Sequence, residues 1–215
     1  MTDSYEHERQ QMVAEQIFAR GVDDPGVLAA MRKVPRHLFV TKELRRQAYE
    51  DKPLPIGEDQ TISQPYIVAL MAKAAELKGH ERVLEIGTGS GYEAAILAEI
   101  CGQLFSVERV DALARKAHAL LADLGYKNIS IQVGDGTLGW NEYAPYDAIV
   151  VSAAAPQIPR PLIEQLKPEG ILILPMGEED LQSLVRIRKH KDGLKEEYLG
   201  ECRFVKLRGE HGWEN

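Results

Sequence analysis

Three short stretches carry residues that could hold a nucleotide-like ligand. In Arg82-Val83-Leu84-Glu85-Ile86-Gly87-Thr88-Gly89-Ser90-Gly91-Tyr92, a short apolar run meets three glycines at alternate positions. Glu93-Ala94-Ala95-Ile96-Leu97-Ala98 follows. Such a run closed by glycines reads as a strand and turn, and the alanine- and leucine-rich segment as a helix. Glycine there accepts positive φ and lets a ligand touch the backbone, while the helix start offers unpaired N–H groups. The second stretch is Ser106-Val107-Glu108-Arg109, with Glu108 lying 21 residues beyond Gly87. A carboxylate at that distance can accept hydrogen bonds from both hydroxyls of a ribose. The third is Gly134-Asp135-Gly136, where a carboxylate between glycines could take the amino group of a base. Each also has a plainer reading: Glu108 as a helix cap, Asp135 as a turn residue. Their recurrence on successive strands favours the ligand site.

The elements that must position these stretches alternate. Strands are expected at 83–86, 103–107, 129–133, 146–151 and 171–174, with helices at 93–98, 110–121 and 161–166 between them. This order predicts an α/β fold with a doubly wound, mostly parallel sheet. Tyr146 to Val151 is apolar almost throughout, as a strand buried on both faces would be. In the tail, 181–188 and 196–207 bracket His190-Lys191-Asp192-Gly193, which reads as an antiparallel hairpin. Before the sheet, Met12, Val13, Ile17 and Phe18 at helical spacing predict an amphipathic helix over 5–20. Asp24-Pro25 starts a second helix, 42–49 a third, and 66–77 a fourth. Residues 50–64, with Pro53, Pro55 and Gly57, read as a loop. The expectation is one domain over 1–215: a helical extension 1–78 that includes the loop 51–64, then a ligand-binding core 79–215.

Composition narrows the classes. The 215 residues are 44% hydrophobic and 27% charged, ordinary for a globular chain. A formal net charge of −7 opposes tight binding to nucleic acid, whose affinity comes largely from cations meeting phosphates. Two distant cysteines, Cys101 and Cys202, and six histidines outside any metal-binding spacing give no disulfide framework and no metal site. No apolar signal segment opens the chain and no apolar run is long enough to span a bilayer. A cytoplasmic protein without membrane attachment is expected.

The ligand need not be a dinucleotide. In G-x-G-x-x-G the third glycine would fall at Tyr92, and no Walker pattern occurs. With an acid on the next strand, the turn resembles the S-adenosylmethionine site of class I methyltransferases. That resemblance implies cofactor contacts from Glu85, Gly87, Thr88, Gly89, Ser90, Gly91, Glu108, Arg109, Asp135 and Gly136. Amino-group methyltransferases of this class often carry N-P-P-Y or D-P-P-Y after the fourth strand, whereas this chain has Val151-Ser152-Ala153-Ala154-Ala155-Pro156. That segment, with Asp59-Gln60-Thr61-Ile62-Ser63-Gln64-Pro65-Tyr66, resembles the protein-L-isoaspartate O-methyltransferases. Gly134-Asp135-Gly136, Pro145-Tyr146-Asp147 and Gln165-Leu166-Lys167-Pro168-Glu169-Gly170 extend the likeness, which runs from about Arg36 to Leu207.

The resemblance implies transfer of a methyl group from S-adenosylmethionine to the free α-carboxylate of an L-isoaspartyl residue in a damaged protein or peptide, with no metal. It makes Ser63 the active-site residue, orienting the acceptor carboxylate, and Thr61 and Ile62 the edge of the peptide groove. Ser63 also stands where it could cap the helix that follows Gln64-Pro65. Arg203-Phe204-Val205-Lys206-Leu207 resembles the family segment that covers the substrate, although the family often has proline at the place of Lys206. Val205 is accordingly a substrate-side residue, with a plain sheet strand as the competing reading. A monomer acting on isoaspartyl proteins, with neither nucleic acid nor membrane as partner, is expected. Other readings stay open: a class I methyltransferase for a small carboxylate or a nucleic acid base, or a module that binds S-adenosylmethionine without turnover.

Overall fold

In the computed structural model, which describes residues 5–214, the first third of the chain is helical. The remaining 1–4 and 215, part of the expected domain 1–215, lie outside the described residues. Helix α1 (Glu6–Gln11) runs into a π-wound turn at Met12–Ile17 and a 3₁₀ turn at Phe18–Arg20. The expected helix is present, but its winding changes twice. Met12, Val13 and Ile17 are buried, whereas Phe18, expected on the same face, points outward at 56% exposure. Helix α2 (Pro25–Lys33) begins as expected, with the Asp24 carboxylate accepting from the Val27 N–H at 2.9 Å. The third expected helix is a 3₁₀ segment, Lys42–Gln47.

The stretch expected to be a loop contains a hairpin, β1 (Leu54–Gly57) with β2 (Gln60–Ile62). Its turn residues Glu58 and Asp59 both take positive φ, 53° and 54°. Paired positive φ suits the right-handed twist of a two-residue hairpin, normally marked by Asn-Gly or Asp-Gly. Here no glycine occupies either central position. Leu54 and Ile62 point inward and anchor the hairpin to the core. Helix α3 (Pro65–Ala74) follows, and a left-handed Glu76 stops it short of 77.

The rest of the chain supplies β3 (Arg82–Ile86), α4 (Tyr92–Ile100), β4 (Gln103–Glu108), α5 (Asp111–Asp123), β5 (Ile129–Val133), β6 (Tyr146–Val151), α6 (Arg160–Glu164), β7 (Leu166–Gly177), β8 (Gln182–His190) and β9 (Gly193–Cys202). The seven-stranded sheet has the order β5-β4-β3-β6-β7-β8-β9. Strands β3 to β7 pair in parallel; β8 and β9 are antiparallel additions. The expected tail hairpin is thus present, but its second arm ends at Cys202. Residues 203–207 leave the sheet, so the plain-strand reading of Val205 does not hold.

Both faces of the sheet are buried, and alternation along β3 shows how. Val83 faces a core shared with α2, α3 and α4, while Leu84 and Ile86 face a second core with Phe105, Ile149 and Leu172. Glu85 shares the side of Val83, under α4. A charged residue there is paid for only by function or by neighbours, and it marks where the site begins.

Candidate functional site

Strand order changes direction between β3 and β6, and in open α/β sheets ligands bind beyond the carboxyl ends at such a switch. A cavity of about 330 Å³ lies there. Four groups of residues line it: Gly87–Ser90 with Ser152 and Ala153 from the two strand ends; Val107–Val110 with Gly136; Asp59–Ser63 from the hairpin; and Val205–Arg208. The glycine turn and the family-specific loop, far apart in sequence, therefore share one cavity.

The glycine turn is shaped by contacts on both sides. Gly87 N–H donates to the Val107 carbonyl at 2.8 Å, tying the turn to the next strand. Gly91 has φ 87° and serves as N-cap of α4; a Cβ there would lie 3.2 Å from the Ala117 Cβ of α5. Only glycine meets that backbone angle at so close a helix contact. The Thr88 and Ser106 hydroxyls are 2.5 Å apart, and Ser106 in turn donates to the Glu85 carboxylate. These bonds fix the turn from beneath.

Glu108 lines the cavity with its carboxylate already oriented. One oxygen accepts from the Gly89 N–H and the other from the Val110 N–H, both at 2.8 Å. Each carboxylate oxygen retains a lone pair for a further donor, so ribose hydroxyls can be received without rearrangement. The capping reading of Glu108 is also partly realised, through Val110, the N-cap residue of α5.

On the other side, the Ser63 hydroxyl has no bond to any described protein group. The cap of α3 is Gln64, without a side-chain bond, so the expected capping role of Ser63 is not what the structure contains. The Ser63 backbone is instead held by a residue that sequence reasoning did not single out for the site. Arg36 is fully buried and donates from Nε to the Ala48 carbonyl and from Nη2 to the Ser63 carbonyl, both at 2.7 Å. Its guanidinium lies 4.7 Å from the centre of the Tyr92 ring, a cation–π contact. Burial pushes Arg36 down to about 10, leaving it charged at neutral pH.

Thr61, Ile62, Ser63, Gly87, Thr88, Gly89, Ser90, Glu108, Arg109, Gly136 and Val205 all line the cavity. Three expected cofactor residues stand behind the wall instead. Glu85 is fully buried beneath the turn, Gly91 caps α4, and the Asp135 carboxylate turns inward. Asp135 accepts from the Thr137 N–H at 2.9 Å, the Thr137 hydroxyl at 2.7 Å and the Glu210 N–H at 2.8 Å. Partial burial raises its carboxyl, but these donors together hold it below the usual value. The Glu210 N–H bond to Asp135 and the His211 N–H bond to the Thr137 hydroxyl pin the C-terminal tail, and Gly136 beside them lines the cavity. A Cβ at Gly136 would overlap Ile86 Cγ2.

Val205–Leu207 crosses the end of β6. The Ala154 N–H donates to the Val205 carbonyl at 2.7 Å, and the Leu207 N–H to the Ala154 carbonyl at 2.8 Å. Those bonds carry the C-terminal segment over the cavity rather than into the sheet.

Glu93 also lines the cavity and was read from the sequence only as a helix residue. It is 7% exposed, accepts from the Ser152 hydroxyl, and leaves Oε1 without a partner among the described residues. Loss of solvation pushes its carboxyl up to about 7, against the Ser152 bond. Glu85 is driven well above the usual range, first by burial and then by Glu93. One signal could have exposed Glu93: every other residue from Tyr92 to Ala98 is apolar, so a lone acid in that buried helix must face something. Among the described residues no group of three or more His, Cys, Asp or Glu is arranged to hold a metal, and no helix is long and apolar enough to cross a membrane.

Comparison with known proteins agrees with this geometry. The family model described as protein-L-isoaspartate(D-aspartate) O-methyltransferase matches residues 7–212. A curated protein-L-isoaspartate O-methyltransferase of Syntrophus aciditrophicus is 56% identical, covering 99% of both chains. One from Dictyoglomus thermophilum is 52% identical over 100% of this chain and 97% of its own. A solved protein-L-isoaspartate O-methyltransferase superposes with TM-score 0.87 at 31% identity, over 95% of this chain and 67% of that one. A Plasmodium falciparum protein described as belonging to the same family, solved in complex with S-adenosyl-L-homocysteine, gives TM-score 0.80 at 27% identity over 93% and 98%.

Proposed function

The chain belongs to the protein-L-isoaspartate(D-aspartate) O-methyltransferase family, and we propose how its own residues divide that family's reaction. The protein is an S-adenosylmethionine-dependent methyltransferase that esterifies the free α-carboxylate of L-isoaspartyl residues in damaged proteins and peptides. Bound S-adenosylmethionine supplies an electrophilic methyl carbon on a sulfonium. Around it, Gly87–Ser90 offer close backbone approach, Glu108 receives the ribose hydroxyls, and Arg109 and Gly136 border the base. Glu85, Gly91 and Asp135 act one layer back, holding the turn, the helix start and Gly136. The site suits that cofactor: Glu108 has acceptor capacity to spare, and the buried Glu93 Oε1 still lacks a donor.

The acceptor needs no base. A carboxylate is ionised at neutral pH, its pKa lying near 4, so the protein has only to align it with the methyl carbon. Ser63 does so by donating its hydroxyl to one carboxylate oxygen. Thr61 and Ile62 flank the peptide mainly through backbone, and Val205 closes the opposite side, which tolerates varied sequences around one damaged residue. The observation that carries this assignment is the unpartnered Ser63 hydroxyl in the same cavity as the glycine turn and Glu108.

The test is methyl transfer from labelled S-adenosylmethionine to paired synthetic peptides, one isoaspartyl and one aspartyl. Label in the isoaspartyl peptide alone is expected; equal label in both, or none, overturns the reading. We further read residues 1–215 as one domain acting as a cytoplasmic monomer. A light-scattering mass near 24.0 kDa is expected, and twice that mass would contradict the monomer.

A further inference from the structure

We infer that Glu93 is a cofactor-binding residue whose carboxylate is the counter-ion to a positive charge on bound S-adenosylmethionine. The inference rests on the family reading above, which supplies a ligand carrying an ammonium and a sulfonium. Its structural basis is independent of that reading. Glu93 projects from the first turn of α4 to the cavity and is more than nine-tenths buried. One carboxylate oxygen is occupied by the Ser152 hydroxyl from the end of β6, and Oε1 has no partner among the described residues. A buried ionised carboxylate with an empty acceptor site is unfavourable unless a charge or donor completes it.

Among the described residues none supplies that charge at Oε1. On β3 beneath it lies Glu85, also with an unpartnered oxygen, and at the end of β4 lies Glu108. Both are acids, and neither supplies a positive charge. Arg36 is committed to the Ala48 and Ser63 carbonyls behind Tyr92. Lys206, on the C-terminal segment, is paired with Glu179 at 2.7 Å and lies over the Trp213 ring. Asp59, Arg109 and Arg208 complete the charged residues lining the cavity. The missing partner therefore enters through the cavity, and beside the neighbouring acids Glu85 and Glu108 the favoured partner is a cation.

A consequence follows for protons. Desolvation holds the Glu93 carboxyl near 7 without ligand. A cation at Oε1 favours the ionised form, so cofactor binding at pH 6.5 must expel a proton to solvent. With a carboxyl near 7, roughly three-quarters of a proton leaves per cofactor at pH 6.5, and about a tenth at pH 8.

The experiment is calorimetric titration of the purified protein with S-adenosylmethionine at both pH values, each in two buffers of very different ionisation enthalpy. The expected result is pH-dependent proton release by the unaltered protein, its absence in Glu93→Gln, and a roughly tenfold weaker Kd in that variant. Ser152→Ala is the second variant. It removes the only donor to the carboxylate among the described residues, raises the carboxyl further, and is expected to increase release at pH 8. S-adenosylhomocysteine, which keeps the ammonium but not the sulfonium charge, identifies the partner: equal release with both ligands assigns the ammonium, release with S-adenosylmethionine alone the sulfonium. Equal release by the unaltered protein and Glu93→Gln overturns the inference while leaving the family reading intact. Absence of any binding heat from the unaltered protein overturns both.

Discussion

The two sides of the cavity differ in how their polar groups are occupied. On the cofactor side, Glu108 already accepts two backbone N–H groups, Thr88 is bonded to Ser106, and Asp135 accepts three donors from Thr137 and Glu210. On the acceptor side the hydroxyl of Ser63 is unbonded among the described residues, while its carbonyl is clamped by Arg36. The difference suits the two ligands. A cofactor of fixed shape is met by a preorganised frame whose spare lone pairs need not move. A peptide of variable sequence is met by a rigid backbone that presents one free donor. Glu93 is the exception on the cofactor side, a buried acid left half-satisfied, and for that reason it draws attention as a ligand contact.

The comparison can be broken at several points. The largest effect is expected from Glu108→Ala, which removes the two ribose bonds proposed for it and releases the N–H groups of Gly89 and Val110. At about 1.5–3 kcal/mol for a hydrogen bond to a charged group, Kd for S-adenosylmethionine should rise on the order of 100-fold or more. Turnover at saturating cofactor should change far less. Calorimetry and steady-state rates check both, and a large loss of saturated turnover would mean that the two sides are not separate.

A smaller effect is expected from Arg36→Lys. Lysine has a point charge where the guanidinium has a fork, so it cannot bridge the Ala48 and Ser63 carbonyls in the same way. Catalytic efficiency with an isoaspartyl peptide should fall about tenfold, carried mainly by kcat, with cofactor Kd within about twofold. A change in cofactor affinity of the same size would show that Arg36 supports the whole site and not the Ser63 backbone alone.

The last effect concerns stability. The Glu93 carboxyl is held near 7 in the folded protein against 4.5 as its ordinary value. A raised carboxyl favours the folded state in acid: this contribution is complete below about pH 4.5 and is lost as pH rises through about 7. Glu93→Gln has no such loss. Its melting temperature relative to the unaltered protein should therefore be higher at pH 8 than at pH 5, by roughly 5–10 °C at about 1.4 kcal/mol per pKa unit and 2–4 °C per kcal/mol for a chain of this size. An equal difference at both pH values would contradict the buried, proton-holding carboxyl.

The same contrast governs what was legible in the sequence. The cofactor side announces itself, because a glycine turn after a strand and an acid at the end of the next strand follow from local geometry. Strands 129–133 and 146–151 fall where alternation and apolar runs put them. The acceptor side was legible only through its likeness to a family. Its hairpin was hidden because Glu58 and Asp59 adopt positive φ without glycine, and the prolines at 53 and 55 mask a strand that pairs with one neighbour only. The cover at 203–207 looked like the end of a strand, and its bonds to Ala154 hold it outside the sheet. Arg36 was invisible for a different reason: its importance lies in what a buried charge touches across the fold, and no local pattern encodes that, whereas Glu93 left the single signal of a lone acid in an apolar helix. Asp135 shows the converse, a residue in the right motif whose carboxylate the tail claims first.

The most direct test of this division is Ser63→Ala, measured in one preparation for cofactor affinity and for single-turnover methylation of an isoaspartyl peptide. If Ser63 orients only the acceptor, S-adenosylmethionine Kd stays within about twofold while the methylation rate falls roughly 10- to 100-fold, the worth of one hydrogen bond to a charged group. A parallel loss of cofactor affinity, or an unchanged methylation rate, would contradict it.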